Sequence, residues 1–184
     1  PHSKELRDKV ALLTELFEDI EFYAATAAPN WGLEYIDDVL EHARWSVLSE
    51  ELFPGVALDI DPRHDPGPAR LDPVFFGRAL QDVLKVAMSR SSEGQRVSVR
   101  ARRLPTESDA EIQIEVRDAG PSATPAELSK LFEPFRRQSR GIPSLALARR
   151  ILEAHGGRLL AEAPISGGML YSMRFPARGG VESC

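Results

Sequence analysis

The stretch Val116–Phe135, VRDAGPSATPAELSKLFEPF, decides how the rest of the chain is read. It follows an alternating run, EIQIEV (Glu111–Val116), that predicts a half-buried strand. Asp118, Ala119 and Gly120 then suit a tight turn that closes this strand. Pro125–Leu131 is a short helical segment, and Phe132–Phe135 is the tetrapeptide FEPF. Further on, Leu145 to His155 carries apolar residues at helical spacing, and Gly156-Gly157 stops the helix. The approach to that helix, Arg140-Gly141-Ile142-Pro143-Ser144, is bulky. Helix N-termini bind phosphate where small residues let backbone N–H groups reach the anion. A helix kept with its approach filled needs an explanation.

Outward from this stretch, VALDI (Val56–Ile60), RVSVRA (Arg96–Ala101), RLLAEA (Arg158–Ala163) and LYSMRF (Leu170–Phe175) read as strands. Helical segments fall at about Pro73–Ser89, Pro125–Leu131 and Leu145–Ala154, and the Pro-rich Asp61–Pro73 reads as a loop. Antiparallel strand pairs with helices between them predict an α+β fold, a two-layer sandwich with helices on one face of a mixed sheet.

Two heptad-type seams precede it: Leu6, Val10, Leu13, Phe17, Ile20 and Ala24, then Leu33, Ile36, Leu40, Ala43 and Val47. Ala28–Gly32 (APNWG) is a turn between them, so the expectation is an N-terminal helical hairpin. Two short helices have little core of their own, and pairing with a second copy into a four-helix bundle would supply one. The alternative is that the seam packs on the rest of the same chain. Leu52–Gly55 (LFPG) marks the expected boundary, giving a hairpin over 1–53, the sandwich over 54–178 and a tail over 179–184.

The 184 residues carry 28 acidic against 23 basic side chains, a net charge of −5 that argues against nucleic acid or an anionic membrane as partner. No apolar run approaches the roughly 18 residues of a membrane span. The single cysteine, Cys184, allows no internal disulfide, and a reducing cytoplasm is the expected location.

Five ordered blocks resemble the histidine protein kinases. FEPF resembles their F box, and Val116–Phe135 as a whole is similar to their G1 and F boxes joined by a short helix. LARRILEAHGGRL (Leu147–Leu159) resembles the helix and strand after their G2 box. Leu71–Val99 resembles the N-box helix and the following strand, and Leu33–Arg44 the second helix of the dimerisation hairpin. The resemblance implies a dimerisation and phosphotransfer hairpin followed by an ATP-binding domain of Bergerat-type fold.

The chain departs from that pattern at each nucleotide-binding box. In the N box two polar residues one helical turn apart are expected; Asp82 stands at the first and Val86 at the second, where the family places its magnesium ligand. Valine has no oxygen to offer Mg²⁺, and Asp82 is then expected to be a solvated helix residue. In the G1 box Asp118 and Gly120 are present, with Ser122 at the second glycine position. The resemblance implies that Asp118 accepts a hydrogen bond from the adenine amino group; the alternative is an Asp that only closes a turn. In the G2 box, Arg140, Ile142 and Ser144 occupy the three glycine positions, Gly141 lies between the first two, and Pro143 removes a donor. Only RRQS separates Phe135 from Arg140, so the ATP lid is expected to be short. Together these losses predict that neither ATP nor magnesium is bound. The basic cluster Arg136, Arg137 and Arg140 is expected either to hold an anion in the former phosphate pocket or to form a solvated edge.

The H-box resemblance places Lys4 where the phosphoacceptor histidine belongs, and a protonated amine accepts no phosphoryl group. His2 is adjacent to it, His64 sits in a loop, and His42 lies beside the second seam as the remaining candidate phosphoacceptor. His155 is expected at a helix end, where a cationic ring suits the dipole. The reading is a degenerate two-component kinase, a homodimeric pseudokinase that binds receiver domains or other histidine kinases. A dimeric histidine phosphotransferase and a divergent active sensor kinase are the alternatives.

Overall fold

In the computed structural model, the structure describes residues 10, 17, 20–21, 29–61, 66–106, 110–134 and 142–178. Among the described residues the elements from Gly32 onward follow in chain order: β1 (Gly32–Tyr35), α1 (Ile36–Ser49), β2 (Ala57–Ile60), β3 (Pro68–Leu71), α2 (Pro73–Arg90), β4 (Arg96–Pro105), β5 (Ala110–Arg117), α3 (Pro125–Leu131), α4 (Ala146–Ala154), β6 (Arg158–Glu162) and β7 (Leu170–Pro176).

The main sheet has the order β2-β4-β5-β7-β6, with β2 parallel to β4 and every other pair antiparallel. Alternation sets its two faces. Val97, Val99 and Ala101 of β4, Ile112, Ile114 and Val116 of β5, and Tyr171, Met173 and Phe175 of β7 are buried under the helices. The opposite face is laced with charge, including Arg102 beside Gln113 and Glu115. This is the expected α+β sandwich with a mixed sheet.

Local chemistry explains where the helices start. Asp72 caps α2 by accepting from Val74 N at 2.9 Å and Phe75 N at 3.0 Å, with Pro73 in the first turn. Thr124 and Glu127 form a reciprocal capping box on α3, ahead of Pro125. From Phe76 to Met88, α2 buries nearly every residue that faces the sheet or its neighbouring helices.

The second predicted helix starts later than its seam implies. Gly32–Tyr35 is a strand that pairs antiparallel with β3, and Leu33 is 69% exposed. The helix begins only at Ile36, and its buried Ile36, Val39, Leu40, Ala43 and Val47 belong to the same core as α2. The physical reason is that 3–4 spacing specifies an apolar face but not what covers it. Here α2 of the same chain covers it, and the two helices share one buried core with the sheet. The loop expected over Asp61–Pro73 likewise contains a strand, β3, begun by Pro68 at a sheet edge.

Of the first predicted helix, Val10, Phe17, Ile20 and Glu21 are described, helical and exposed. His2, Lys4, His64, Arg136, Arg137, Arg140, Gly141 and the tail over 179–184 lie outside the described residues.

Candidate functional site

Asp118 directly follows β5 and is buried, its side chain 0% exposed. Its Oδ1 accepts from Gly120 N at 3.0 Å and Met169 N at 2.9 Å. Its Oδ2 accepts from Arg90 Nε at 3.1 Å and the Tyr171 hydroxyl at 3.2 Å. A carboxylate offers about four acceptor positions, and four donors of this chain occupy them. Arg90 also donates through Nη2 to the Pro121 carbonyl, which binds the end of α2 to the turn after β5. Burial, with the Asp118 carboxylate beside it, pushes the Tyr171 hydroxyl far above its ordinary pKa, so it remains a donor.

Two glycines allow this close assembly. A Cβ at Gly120 would run into the Arg90 carbonyl oxygen. Gly168 has φ +72°, and a Cβ there would strike the Asp118 carbonyl oxygen. Ser122, the other predicted remnant of this turn, is exposed.

The N-box stripe runs along one face of α2, because residues 78, 82, 86 and 90 are spaced one helical turn apart. Arg78 Nε meets Asp82 Oδ1 at 3.1 Å, and Asp82 is 1% exposed. The expectation of a solvated Asp82 is therefore corrected: the next residue on the stripe, Val86, is fully buried, and the carboxylate sits under the same cover with a guanidinium beside it. Arg90 completes the stripe and reaches Asp118. Sequence reasoning missed Arg90, although its position one turn beyond Val86 was a usable signal.

The described part of the approach to α4 is apolar. Ile142, Pro143 and Leu145 are buried and Ser144 is partly so. Ser144 Oγ accepts from Ala146 N at 3.3 Å, and Leu145 N donates to Leu131 O at 2.6 Å. These bonds occupy N–H groups that the start of a helix otherwise leaves open. The bulk in the approach is hydrophobic core, which explains why the helix persists without glycines before it. Arg149 of α4 stacks over Phe132 of the FEPF tetrapeptide, its guanidinium carbon 3.6 Å from the ring centre.

His155 caps α4 in a different charge state from the one expected. Burial holds its pKa below the ordinary value, so the ring is neutral rather than cationic. Nδ1 lies 2.7 Å from Ile151 O, and Nε2 accepts from Asp72 N at 3.0 Å. The ring packs edge-on against Trp31 and Phe76. It joins the end of α4 to the start of α2. His42 is exposed on α1.

Among the described residues no group of three or more His, Cys, Asp or Glu side chains is placed to hold a metal, and no helix is long and apolar enough to cross a membrane.

Comparison with known proteins agrees with this architecture. Residues 71–179 match the family profile described as histidine kinase-, DNA gyrase B-, and HSP90-like ATPase. Sensor protein DivL of Caulobacter vibrioides is 26% identical over 181 residues, 95% of this chain and 23% of that protein. Sensor protein FixL of Bradyrhizobium diazoefficiens is 30% identical over 109 residues, 58% of this chain and 21% of that protein. The chain thus spans about a quarter or less of the length of these relatives. Among solved structures, the mycobacterial sensor histidine kinase MprB superposes with a TM-score of 0.67 at 22% identity, covering 83% of this chain and all of that one. Full-length ShkA in complex with AMPPNP superposes with a TM-score of 0.70 at 17% identity, over 98% of this chain and 39% of that one. At such identities the superpositions establish the fold alone. From the profile match over more than half its length, the chain belongs to the histidine kinase-, DNA gyrase B-, and HSP90-like ATPase family.

Proposed function

We propose that this chain is a degenerate histidine kinase module of two-component signalling. It works by protein–protein interaction with receiver domains or other histidine kinases, in the cytoplasm and as part of a homodimer, and binds neither ATP nor magnesium. The observation that carries the reading is the filled coordination of Asp118. An adenine amino group needs one of its acceptor positions, and Arg90, Tyr171, Gly120 and Met169 hold them all. Val86 in the metal-ligand position and the buried Ile142-Pro143 in the phosphate approach support it further. The residues present do not fit a magnesium–nucleotide complex.

The test is calorimetric titration with ATP and ADP, with and without Mg²⁺, alongside thermal unfolding. A ligand at 100 times its Kd stabilises by about 2.7 kcal/mol, roughly 5–11 °C for a domain of this size. The expected result is no heat and no shift. Magnesium-dependent binding would overturn the reading in favour of a divergent active sensor kinase.

A further inference from the structure

A groove of about 430 Å³ lies between α1 and the first half of α2, lined by Glu34, Asp38, Val39, His42, Pro73, Val74, Gly77 and Gln81. It uses a different stripe of α2 from the nucleotide-like site: Val74, Gly77 and Gln81 rather than Arg78, Asp82 and Val86. Val39, Val74 and Gly77 make the floor. A Cβ added at Gly77 would meet no atom within 4 Å, so the floor drops to bare backbone with room above it for a side chain.

The rim is acidic and polar. Glu34, Asp38, His42 and Gln81 make no side-chain hydrogen bond or ion pair among the described residues. Asp38 has a local reason to be where it is, since it lies in the first turn of α1, where the helix dipole favours an anion. That reason does not extend to Glu34, which precedes the helix on β1. Val74 on the floor is 66% exposed, and Trp45, three residues beyond His42 on α1, is 71% exposed. Large exposed apolar side chains beside carboxylates are the ordinary make-up of a protein-binding surface.

We infer that this groove docks a basic amphipathic segment of a partner protein, with an apolar side chain seated over Gly77 and a lysine or arginine facing Glu34 and Asp38. Charge complementarity selects the partner: two carboxylates at one end of the groove, on a chain of net charge −5, attract a cationic segment and repel an acidic one. The inference names the partner chemistry of the interaction module proposed above and rests on that reading. The nucleotide titration judges that reading separately.

The experiment maps backbone amide NMR shifts of the full chain while a 15-residue helical peptide of lysine and leucine is added. The matching peptide with glutamate in place of lysine is the control. Shifts are expected at residues 34–42 and 73–81 with the lysine peptide and none with the glutamate peptide. Gly77→Leu fills the groove, and leucine is a better helix former than glycine, so the fold is retained while affinity falls at least tenfold. Glu34→Gln with Asp38→Asn is expected to weaken binding by a similar factor without touching the floor. Equal binding of both peptides, shifts elsewhere, no shifts at all, or unchanged affinity in Gly77→Leu would each overturn the assignment. Loss of the groove assignment with ATP still unbound would leave the module reading standing.

Discussion

Arg90 and Asp118 stand 28 residues apart in the chain and meet at 3.1 Å, with side-chain exposures of 17% and 0%. One comes from the last turn of α2, the other directly follows β5. The pair therefore ties the end of the helix to the turn that follows the strand. Removing one partner of such a buried pair is costly because the other is left charged and without its counterpart. Asp118→Ala also deprives the Gly120 and Met169 N–H groups of their acceptor. We expect a loss of about 3–5 kcal/mol in urea unfolding. A loss below about 1 kcal/mol, the scale of an exposed pair, would show that the contact is not held in the folded state.

The phosphate approach makes a second prediction. Ile142 is 2% exposed and belongs to the core, so Ile142→Ala is expected to cost about 2–5 kcal/mol. Ser122 stands at another lost glycine position but is exposed, and Ser122→Gly is expected to stay within about 0.5 kcal/mol. Equal effects of the two changes in thermal unfolding would contradict the assignment of Ile142 as a core residue.

The buried imidazole of His155 gives a pH dependence of known sign. Its folded-state pKa lies below the ordinary value because burial disfavours the charged ring. The neutral ring accepts from Asp72 N, which a doubly protonated ring cannot do. Its stabilising contribution is present in full above about pH 6.5, the unfolded value. It is lost as the pH falls through the depressed folded value. Urea midpoints of the wild type and His155→Phe should converge between pH 8 and pH 5. A constant difference over that range would rule the mechanism out.

At α3 the capping box is exposed and local. The Thr124 backbone and side chain donate to Glu127 and hold its carboxyl below the usual range. Thr124→Ala should destabilise this helix by about 1 kcal/mol. Amide hydrogen exchange of residues 127–131 would then speed up several-fold, and unchanged exchange would refute the cap.

The strands of the sandwich were legible because alternation is local. RVSVRA and EIQIEV read as half-buried strands and became β4 and β5, and Gln113 alone among their outward residues is buried, held by Arg102, Glu115 and Ser172. The short β1 was not legible, because Gly32–Tyr35 leads into a helical pattern without interruption and gains strand form only by pairing with β3. Asp82 was misread for a related reason. A charged residue beside a valine looks solvated until the cover over that helix face, and the Arg78 guanidinium one turn away, are seen together.

By itself the sequence determined which atoms exist at each position. Val86 has no oxygen for a metal, Ile142 and Pro143 have the wrong bulk for a phosphate loop, and apolar spacing marks β4, β5, α2 and α4. Only the tertiary structure decided what those faces meet. It placed α2 against Ile36–Val47, and Arg90 against Asp118. Periodicity and residue type are properties of one segment, whereas burial and hydrogen bonding require a second segment that only the folded chain supplies.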